Sequence, residues 1–392
     1  MKLLCLAAFL FSGLASGKSR FKLNDRCVQP RGDFCVEIRR CPYFADLLDR
    51  SVIPRPKHVI DTIRTFQCGF KDNTPLVCCQ KEQATSLQAA KPPDTSKHRN
   101  RVLVPQDDCG PIANEFRITG GREAGLYEFP WMALLAYKTD KSGHEFRCDG
   151  SLINDRYVLT AAHCIYNMTL AGVRLGEHNI NTRVDCSSVT GKCAPPVQDF
   201  YIEDVTLHPD YVPASFGNDI ALIRLATPVK FANNVQPICL PFGSLSEMSL
   251  VGKFAMVAGW GVTETGFKSP QLLKTLLPVV SNDECDRIYR KYANVTMKQL
   301  CAGGAMGRDT CGGDSGGPLY HVSLVEGGEP RYVQHGVVSY GPRHCGTDGQ
   351  PAVYTRISYY MDWILDNLKP SSDEDDDNVN NKHRHHQKLQ QH

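Results

Sequence analysis

Short apolar and alternating runs recur along most of the chain, separated by glycine, proline and asparagine. Such runs, bounded by turn-forming residues, are typical of β-strands. Residues 131–137, 157–160 and 336–339 follow this pattern, whereas residues 357–368 have the spacing of an amphipathic helix. From residue 118 to residue 368 the sequence therefore predicts an all-β sandwich or a pair of barrels with a C-terminal helix.

The first apolar run lies at the N-terminus and has a different character. Lys2 precedes an apolar stretch over residues 3–14, which ends in the small residues Ala15-Ser16-Gly17. This order predicts a signal peptide, residues 1–17, and a secreted protein. A membrane anchor is the alternative, but about a dozen apolar residues are short of the ~20 that a spanning helix needs.

The cysteines support secretion. The chain has 17 of them, and cleavage after Gly17 removes Cys5 and leaves an even number for disulfides. Residues 27–79 form a segment too short to fold on apolar burial alone, so three disulfides are expected there. A zinc site is the alternative, but no paired C-x2-C spacing is present, and spacing alone leaves the disulfide pairing open. The six cysteines of this segment are Cys27, Cys35, Cys41, Cys68, Cys78 and Cys79.

Two segments lack periodicity. Residues 80–108 are rich in Gln, Ser, Thr, Lys and Pro, which predicts a flexible tether. After residue 370 an acidic run, residues 373–377, is followed by a His-rich run, residues 382–386. We expect residues 370–392 to be disordered, and the alternative of a metal-binding tail lacks a spacing that fixes a coordination geometry.

The charge balance excludes one class of partner. Lys and Arg number 44 against 42 Asp and Glu, so the formal net charge is +2. Since no basic run resembles a nucleic-acid footprint, we expect no nucleic-acid partner.

Three separated motifs indicate acyl transfer when they are taken together. They are Thr160-Ala-Ala-His163-Cys164, Asn218-Asp219-Ile220 and Gly312-Gly-Asp314-Ser315-Gly-Gly. Each motif alone is weak evidence for catalysis, because packed histidines, strand-end aspartates and glycine turns are common. In the order His163, Asp219, Ser315 they match the chymotrypsin-type triad. In that triad histidine takes the serine proton and aspartate holds the imidazole tautomer.

Residues 27–369 closely resemble the clip-domain serine proteases of arthropod haemolymph, including prophenoloxidase-activating and Spätzle-processing enzymes. The resemblance implies a clip domain at residues 27–79, a linker with the activation site at residues 80–117 and a trypsin-like domain at residues 118–369. It implies two six-stranded antiparallel β-barrels for that domain. It also implies that the backbone N–H groups of Gly313 and Ser315 form the oxyanion hole.

The resemblance further implies a complete set of disulfides. In the clip domain the pairs would be Cys27–Cys78, Cys35–Cys68 and Cys41–Cys79. In the protease domain they would be Cys148–Cys164, Cys186–Cys193, Cys285–Cys301 and Cys311–Cys345. Cys109 and Cys239 remain and would join the linker to the protease domain, which uses every cysteine after Gly17.

The segment Phe116-Arg117-Ile118-Thr119-Gly120-Gly121 resembles the activation site of this family, and an ordinary surface turn is the alternative. Asp314, directly before Ser315, favours activation, because a newly freed Ile118 ammonium needs a carboxylate partner when it is buried. The cut after Arg117 would come from another trypsin-like protease.

Substrate specificity is expected to depend on Asp309, six residues before Ser315. In trypsin-like members a carboxylate there pairs with substrate Arg or Lys. Ser339-Tyr340-Gly341 resembles the segment that binds the substrate main chain, with Tyr340 in place of the usual Trp. Ala352 replaces the commonest Gly, and its methyl group is expected to narrow the pocket.

Residues 176–185 resemble the calcium loop of trypsins, and a plain surface loop is the alternative. The carboxylates of Glu177 and Asp185 and the carbonyls of Asn179 and Thr182 are the expected ligands. No cofactor is expected for catalysis. Two sequons, at Asn167 and Asn294, predict N-glycosylation.

The leading hypothesis is a secreted zymogen that cuts after Arg, and less well after Lys, in an extracellular cascade of immunity, melanization or the Toll pathway. Its expected partners are prophenoloxidase, a Spätzle-like precursor or another clip protease zymogen as substrate, an upstream protease and an inhibitory serpin. One rival is a catalytically dead homologue, which Ser315 argues against. The other is a digestive trypsin, which has no need of a clip domain.

Overall fold

The computed structural model describes residues 34–41, 44, 48, 57–71, 74–79, 91–112, 122–139, 143–187, 191–263, 267–290, 293, 295–304, 313–326, 328–342 and 346–371. It divides into two units, Met1–Ala90 and Lys91–His392. Several predicted features lie outside the described residues: the signal peptide, Cys27, Arg117, Ile118, Asn294, Asp309, Cys311, Cys345 and the tail after residue 371.

Among its described residues, the N-terminal unit contains a three-stranded antiparallel sheet and an α-helix. Its strands are β1 (Phe34–Glu37), β2 (Gln67–Lys71) and β3 (Thr74–Cys79), in the order β1-β3-β2, and α1 spans Lys57–Phe66. The buried side chains of Ile38, Phe44 and Val77 form a small core. Since this core is small, the disulfides Cys35–Cys68 and Cys41–Cys79 carry much of the stabilisation. Cys78 is also disulfide-bonded.

The second unit begins with a closed barrel. Its strands are β5 (Met132–Thr139), β6 (Gly143–Leu152), β7 (Tyr157–Thr160), β8 (Leu170–Leu175), β9 (Gln198–Phe200), β10 (Ile202–Leu207) and β11 (Ala221–Leu225). Only Tyr201 separates β9 from β10, and the pair acts as one interrupted strand: β9 pairs with β8 and β10 pairs with β11. When β9 and β10 are counted as one strand, the closed barrel has six strands.

A second ring follows it. Its strands are β12 (Phe254–Gly259), β13 (Leu273–Val280), β14 (Gln299–Gly303), β15 (Pro318–Leu324), β16 (Pro330–Tyr340) and β17 (Pro351–Arg356). The order is β12-β15-β16-β17-β14-β13, the pairing of β12 with β13 closes the ring, and the short β4 (Arg122–Glu123) adds to β13. The expected all-β, chymotrypsin-like fold with two barrels is confirmed.

Among its described residues, this unit also has two short α-helices. Helix α2 spans Asn282–Tyr289, and at the C-terminal end a 3-10 turn, Ile357–Tyr360, leads into α3, Met361–Asp366. Among the residues that the structure describes, no helix is both long and apolar enough to cross a bilayer.

An aromatic cluster joins the two barrels. Phe129 and Trp131, just before β5, pack against Tyr320 on β15 and Tyr332 on β16, with ring centroids 5.3 to 5.9 Å apart. Such edge-to-face and tilted pairs are favourable beyond the area they bury. The cluster fixes the relative position of the barrels and therefore of the residues at their junction.

Residues 91–112 differ from the expected tether, because they belong to the second unit and pack against the rest of it. A 3-10 turn, Arg99–Leu103, places the Asn100 side chain where its Nδ2 donates to the carbonyls of Leu365 at 2.8 Å and Leu368 at 3.2 Å. The two carbonyls lie at the C-terminal end of this helix, where carbonyls lack the usual partner four residues on, and Leu365 also accepts from the Leu368 N–H at 3.2 Å. These contacts are hydrogen bonds from a side chain to the end of a helix. The pattern of hydrophobic residues in the sequence therefore could not predict them.

Candidate active site

His163 lies at the junction of the barrels, one turn after β7. The 3-10 turn Ala162–Cys164 carries it, and Ala161 and Ala162 are fully buried beneath it. The disulfide Cys148–Cys164 ties this turn to β6. The imidazole is therefore held on a rigid support, with its ring edge-on to Phe216 at 5.7 Å between centroids.

Asp219 lies beneath His163 and has no solvent exposure. Its Oδ2 accepts hydrogen bonds from His163 Nδ1 at 2.8 Å and from Ser339 Oγ at 2.5 Å. Its Oδ1 accepts from the His163 backbone N–H at 2.9 Å. Because an ionised carboxylate only accepts, the ring proton belongs on Nδ1, which leaves Nε2 with a free lone pair.

The chain before Asp219 is held in a costly conformation. Asn218 has φ 54° and Phe216 φ 53°, a region that non-glycine residues seldom adopt. The Asn218 Oδ1 accepts from Tyr360 Oη at 3.0 Å and Lys298 Nζ at 3.2 Å, which holds the turn in place. The sequence analysis assigned no role to Phe216 or Tyr360. Asparagine adopts positive φ more readily than most residues, but phenylalanine does not, so nothing in the sequence indicated the positive φ of Phe216.

Ser315 lies on a tight turn between the two barrels. Its carbonyl accepts from the Asp149 N–H at 2.8 Å, and Gly316 N–H donates to Val338 at 2.9 Å. Gly316 has φ +79°, and a Cβ there would lie 2.2 Å from Thr160 Oγ1. Only glycine therefore allows the Ser315 turn to contact the strand that leads to His163.

Asp314 is enclosed by two glycines from the end of β12. A Cβ on Gly259 would lie 2.2 Å from its Oδ1, and a Cβ on Gly261 would lie 2.5 Å from the same atom. The Gly261 N–H donates to Asp314 Oδ1 at 2.8 Å. Gly313 has φ +110°, and a Cβ there would lie 2.9 Å from Gly261 Cα. Glycine is therefore required on both sides of this contact.

The expected pocket residues that the structure describes lie on β16, β17 and the segment between them. Ala352 is buried, and a Cβ on Gly341 would lie 3.4 Å from the Ala352 methyl group. Tyr340 packs between Phe216 and Tyr289, at 5.2 and 5.5 Å between centroids. Burial, together with the neighbouring Tyr289, Asp286 and Asp219, raises the pKa of Tyr340, so its phenol stays neutral at physiological pH.

The four expected calcium ligands lie in one loop. Glu177 and Asp185 have buried side chains. Burial and the charge of Asp185 raise the pKa of Glu177, although Arg174 Nη1 lies 3.2 Å from its Oε2. Asp185 Oδ2 accepts from the N–H groups of His178 and Asn179 at 3.1 and 3.2 Å. Two buried carboxyl groups that repel each other suit a hard divalent cation.

Four disulfides within the second unit have the partners that the family resemblance implies. They are Cys109–Cys239, Cys148–Cys164, Cys186–Cys193 and Cys285–Cys301. Of the two sequons, the structure describes Asn167, which is exposed.

Comparisons with known proteins agree with this geometry. A trypsin family model matches residues 118–364, and a model of the regulatory CLIP domain of proteinases matches residues 27–79. The chain is 39% identical over 366 residues to phenoloxidase-activating factor 3 of Holotrichia diomphalia, covering 91% of this chain and 97% of that protein. It is 37% identical over 395 residues to the Spaetzle-processing enzyme of Drosophila melanogaster, covering 94% and 98%. The solved Grass clip serine protease of the Drosophila Toll pathway matches with a TM-score of 0.60 and 33% identity, over 88% of this chain and 97% of that chain.

Proposed function

The chain belongs to the trypsin family of serine proteases and carries a regulatory CLIP domain, and we propose that it is a secreted zymogen, activated by a cut after Arg117. Once active, it activates a downstream protein by cutting after Arg. The observation that carries the proposal is the buried Asp219 carboxylate on His163, beside the turn that bears Ser315. Since relatives are named for activating phenoloxidase and processing Spaetzle, the proposed substrates are prophenoloxidase, a Spätzle-like precursor or another clip zymogen.

The chemistry follows from the protonation states in the site. His163 Nε2 accepts the Ser315 hydroxyl proton while the oxygen attacks the scissile carbonyl. Asp219 stabilises the imidazolium that forms, and the N–H groups of Gly313 and Ser315 stabilise the oxyanion. The imidazolium then returns the proton to the leaving amine, and water hydrolyses the acyl-enzyme by the same steps. No catalytic cofactor takes part.

One experiment tests the substrate class directly. The purified chain is cut after Arg117 and incubated with candidate haemolymph zymogens, and the new N-termini are sequenced. New termini that follow Arg support the proposal. Intact candidates beside an enzyme that hydrolyses Arg peptides would contradict the cascade role and leave the protease activity standing. A serpin that forms a covalent complex would identify the inhibitory partner.

Activation is proposed to act through Asp314. The new Ile118 ammonium pairs with Asp314, and this pair orders Gly313 for oxyanion binding. Asp314→Asn therefore should give a protein that is cut normally but is at least about 10²-fold less active, since loss of one oxyanion donor costs that much. Steady-state kinetics of the cut variant measure the loss. Full activity would remove Asp314 from the mechanism, and Asp283→Asn, at an exposed aspartate on α2, serves as the control.

Specificity is proposed to favour Arg over Lys by at least about tenfold in kcat/KM, or roughly 1.4 kcal/mol. Asp309 supplies the charge for both. A guanidinium reaches a carboxylate directly, whereas the shorter lysine commonly needs a bridging water, whose space the Ala352 methyl group reduces. Peptides that differ only in this residue measure the ratio. Ala352→Gly should lower it, and Ala255→Gly, which removes a buried methyl group from β12, should not. A ratio that Ala352→Gly leaves unchanged would contradict this account.

Calcium is proposed to bind at Glu177, Asp185 and the carbonyls of Asn179 and Thr182, and to stabilise the fold without joining the chemistry. At a calcium concentration 100 times the Kd, binding raises the free energy of unfolding by about 2.7 kcal/mol. For a domain of this size that raises Tm by roughly 5–10 °C. Glu177→Ala and Asp185→Ala should abolish the rise, and Asp199→Ala, which removes the other partner of Arg174, should keep it. A Tm that is indifferent to chelator would favour a plain loop.

A further inference from the structure

A second buried acid lies beside the Ser315 turn. Asp149, on β6 directly after Cys148, is 1% exposed, and its Oδ2 has no hydrogen-bond partner among the described residues. A buried carboxyl oxygen without a partner is costly, and it normally marks a missing proton or ligand. The catalytic scheme above gives the Asp149 side chain no role.

The neighbour of this side chain is Asp314. A Cβ on Gly259 would lie 2.7 Å from Asp149 Oδ2 and 2.2 Å from Asp314 Oδ1, so the two carboxyl groups share the small space above this glycine. Two carboxylates in one buried site cannot both ionise without a large cost. One proton shared between them removes the repulsion and also gives Asp149 Oδ2 a partner.

We propose that Asp149 is protonated and donates its carboxyl hydrogen to Asp314, so that the two acids form one buried pair with a single negative charge. The proposal makes Asp149 a positioning residue, because its N–H already holds the Ser315 carbonyl at 2.8 Å. Through its side chain it then also holds Asp314, on the other side of the same turn. The inference rests on the proposed role of Asp314 in activation.

The surrounding charges support this protonation state. Burial, and secondly the charge of Asp314, raise the pKa of Asp149 well above its usual range. The Trp260 N–H and Lys268 act in the opposite direction and are the weaker influences. Among the described residues Tyr137 also interacts with Asp149, and its own pKa is raised mainly by burial, so it stays neutral.

The sign of the pH dependence follows. A carboxyl group with a raised folded-state pKa contributes stability that is fully present below its unfolded pKa of about 3.9. That stability is lost as the pH rises through the folded-state value. In the active enzyme the proposed Ile118 ammonium offsets one negative charge of the pair. Ionised Asp149 would add a second negative charge beside Asp314 and displace the Ser315 turn, so activity should fall on the alkaline side.

An infrared experiment tests the pair without requiring activity. The uncleaved Ser315→Ala chain should show the carbonyl band of a protonated carboxylic acid at about pH 6, where ordinary carboxyl groups are ionised. Asp149→Asn in that background should remove the band, and Asp283→Asn should keep it. Asp314→Asn should lower the pH at which the band disappears by about 1 unit or more, because it removes the neighbouring charge.

The outcomes separate this inference from the proposed function. Three results would contradict the proposed acid pair, whatever the activity of the enzyme. The band could be absent, it could survive Asp149→Asn, or the pH at which it disappears could be unchanged by Asp314→Asn. In the cut enzyme, the alkaline limb of kcat/KM should move to higher pH in Asp149→Asn. An unmoved limb would overturn the positioning role. Full activity of cut Asp314→Asn would instead count against the activation mechanism.

Discussion

Ser315→Ala is expected to lower kcat by about 10⁶-fold, the loss measured for the nucleophile of a related triad. The hydroxyl oxygen forms the covalent acyl-enzyme, and a methyl group cannot replace it. The fold should survive, because the described hydrogen bonds of Ser315 and Gly316 come from their backbones: the Ser315 carbonyl accepts from Asp149, and the Gly316 N–H donates to Val338. Peptide hydrolysis after the cut at Arg117, measured beside Tm, checks both parts.

His163→Ala is the matched variant, and it should lower kcat by about the same factor as Ser315→Ala. The double variant should lose little more than either single variant, because the two residues act as one unit. Losses that add in the double variant would contradict a shared step. More than a few per cent of the activity after Ser315→Ala would mean that another nucleophile performs the reaction.

Asp219→Asn is expected to lower kcat by about 10⁴-fold, the loss known for the same change in a related triad. The carboxylate accepts three hydrogen bonds, one from His163 Nδ1, one from the His163 backbone and one from Ser339. An amide has one acceptor oxygen and one donor nitrogen. With the nitrogen toward the ring, Nδ1 must accept, so Nε2 carries the proton and cannot take another from Ser315.

The kinetic signature of Asp219→Asn distinguishes this tautomer effect from a collapsed site. KM should stay within a few-fold of wild type while kcat falls, because ground-state contacts with the substrate are kept. Ser339→Ala is the comparison, since it removes one hydrogen bond from Asp219 but keeps its charge. A kcat for Asp219→Asn within tenfold of wild type would contradict the assignment of Asp219.

The sequence predicted the features whose signal is local. Strand runs bounded by turn residues indicated an all-β sandwich or a pair of barrels, the family resemblance favoured the barrels, and the residues around His163, Asp219 and Ser315 each had a short motif. Asp149 lies in no such motif. Its role depends on Asp314, which is 165 positions later in the sequence and comes close to it only in the folded chain. The docking of residues 91–112 was missed for a related reason, because side-chain hydrogen bonds to carbonyls at a helix end leave no periodic pattern.

The strand break at Tyr201 also depends on contacts between residues that are distant in the sequence. The sequence analysis made no prediction for residues 198–207, where β9 and β10 are defined by their different partners, β8 and β11. Register and closure of a barrel depend on pairings distant in sequence, which propensity does not encode.

The disulfide Cys109–Cys239 changes the molecularity of the enzyme. The bond is reinforced by Gly110, whose N–H donates to Pro237 at 2.8 Å and whose carbonyl accepts from Tyr332 at 2.9 Å. A cut after Arg117 would divide the polypeptide, yet the two chains remain one covalent molecule. Unfolding and refolding of the cut enzyme therefore stay first-order, and its midpoint does not depend on dilution. Without the bond the same enzyme would be a two-component complex, with a clip-bearing chain that dissociates as the concentration falls.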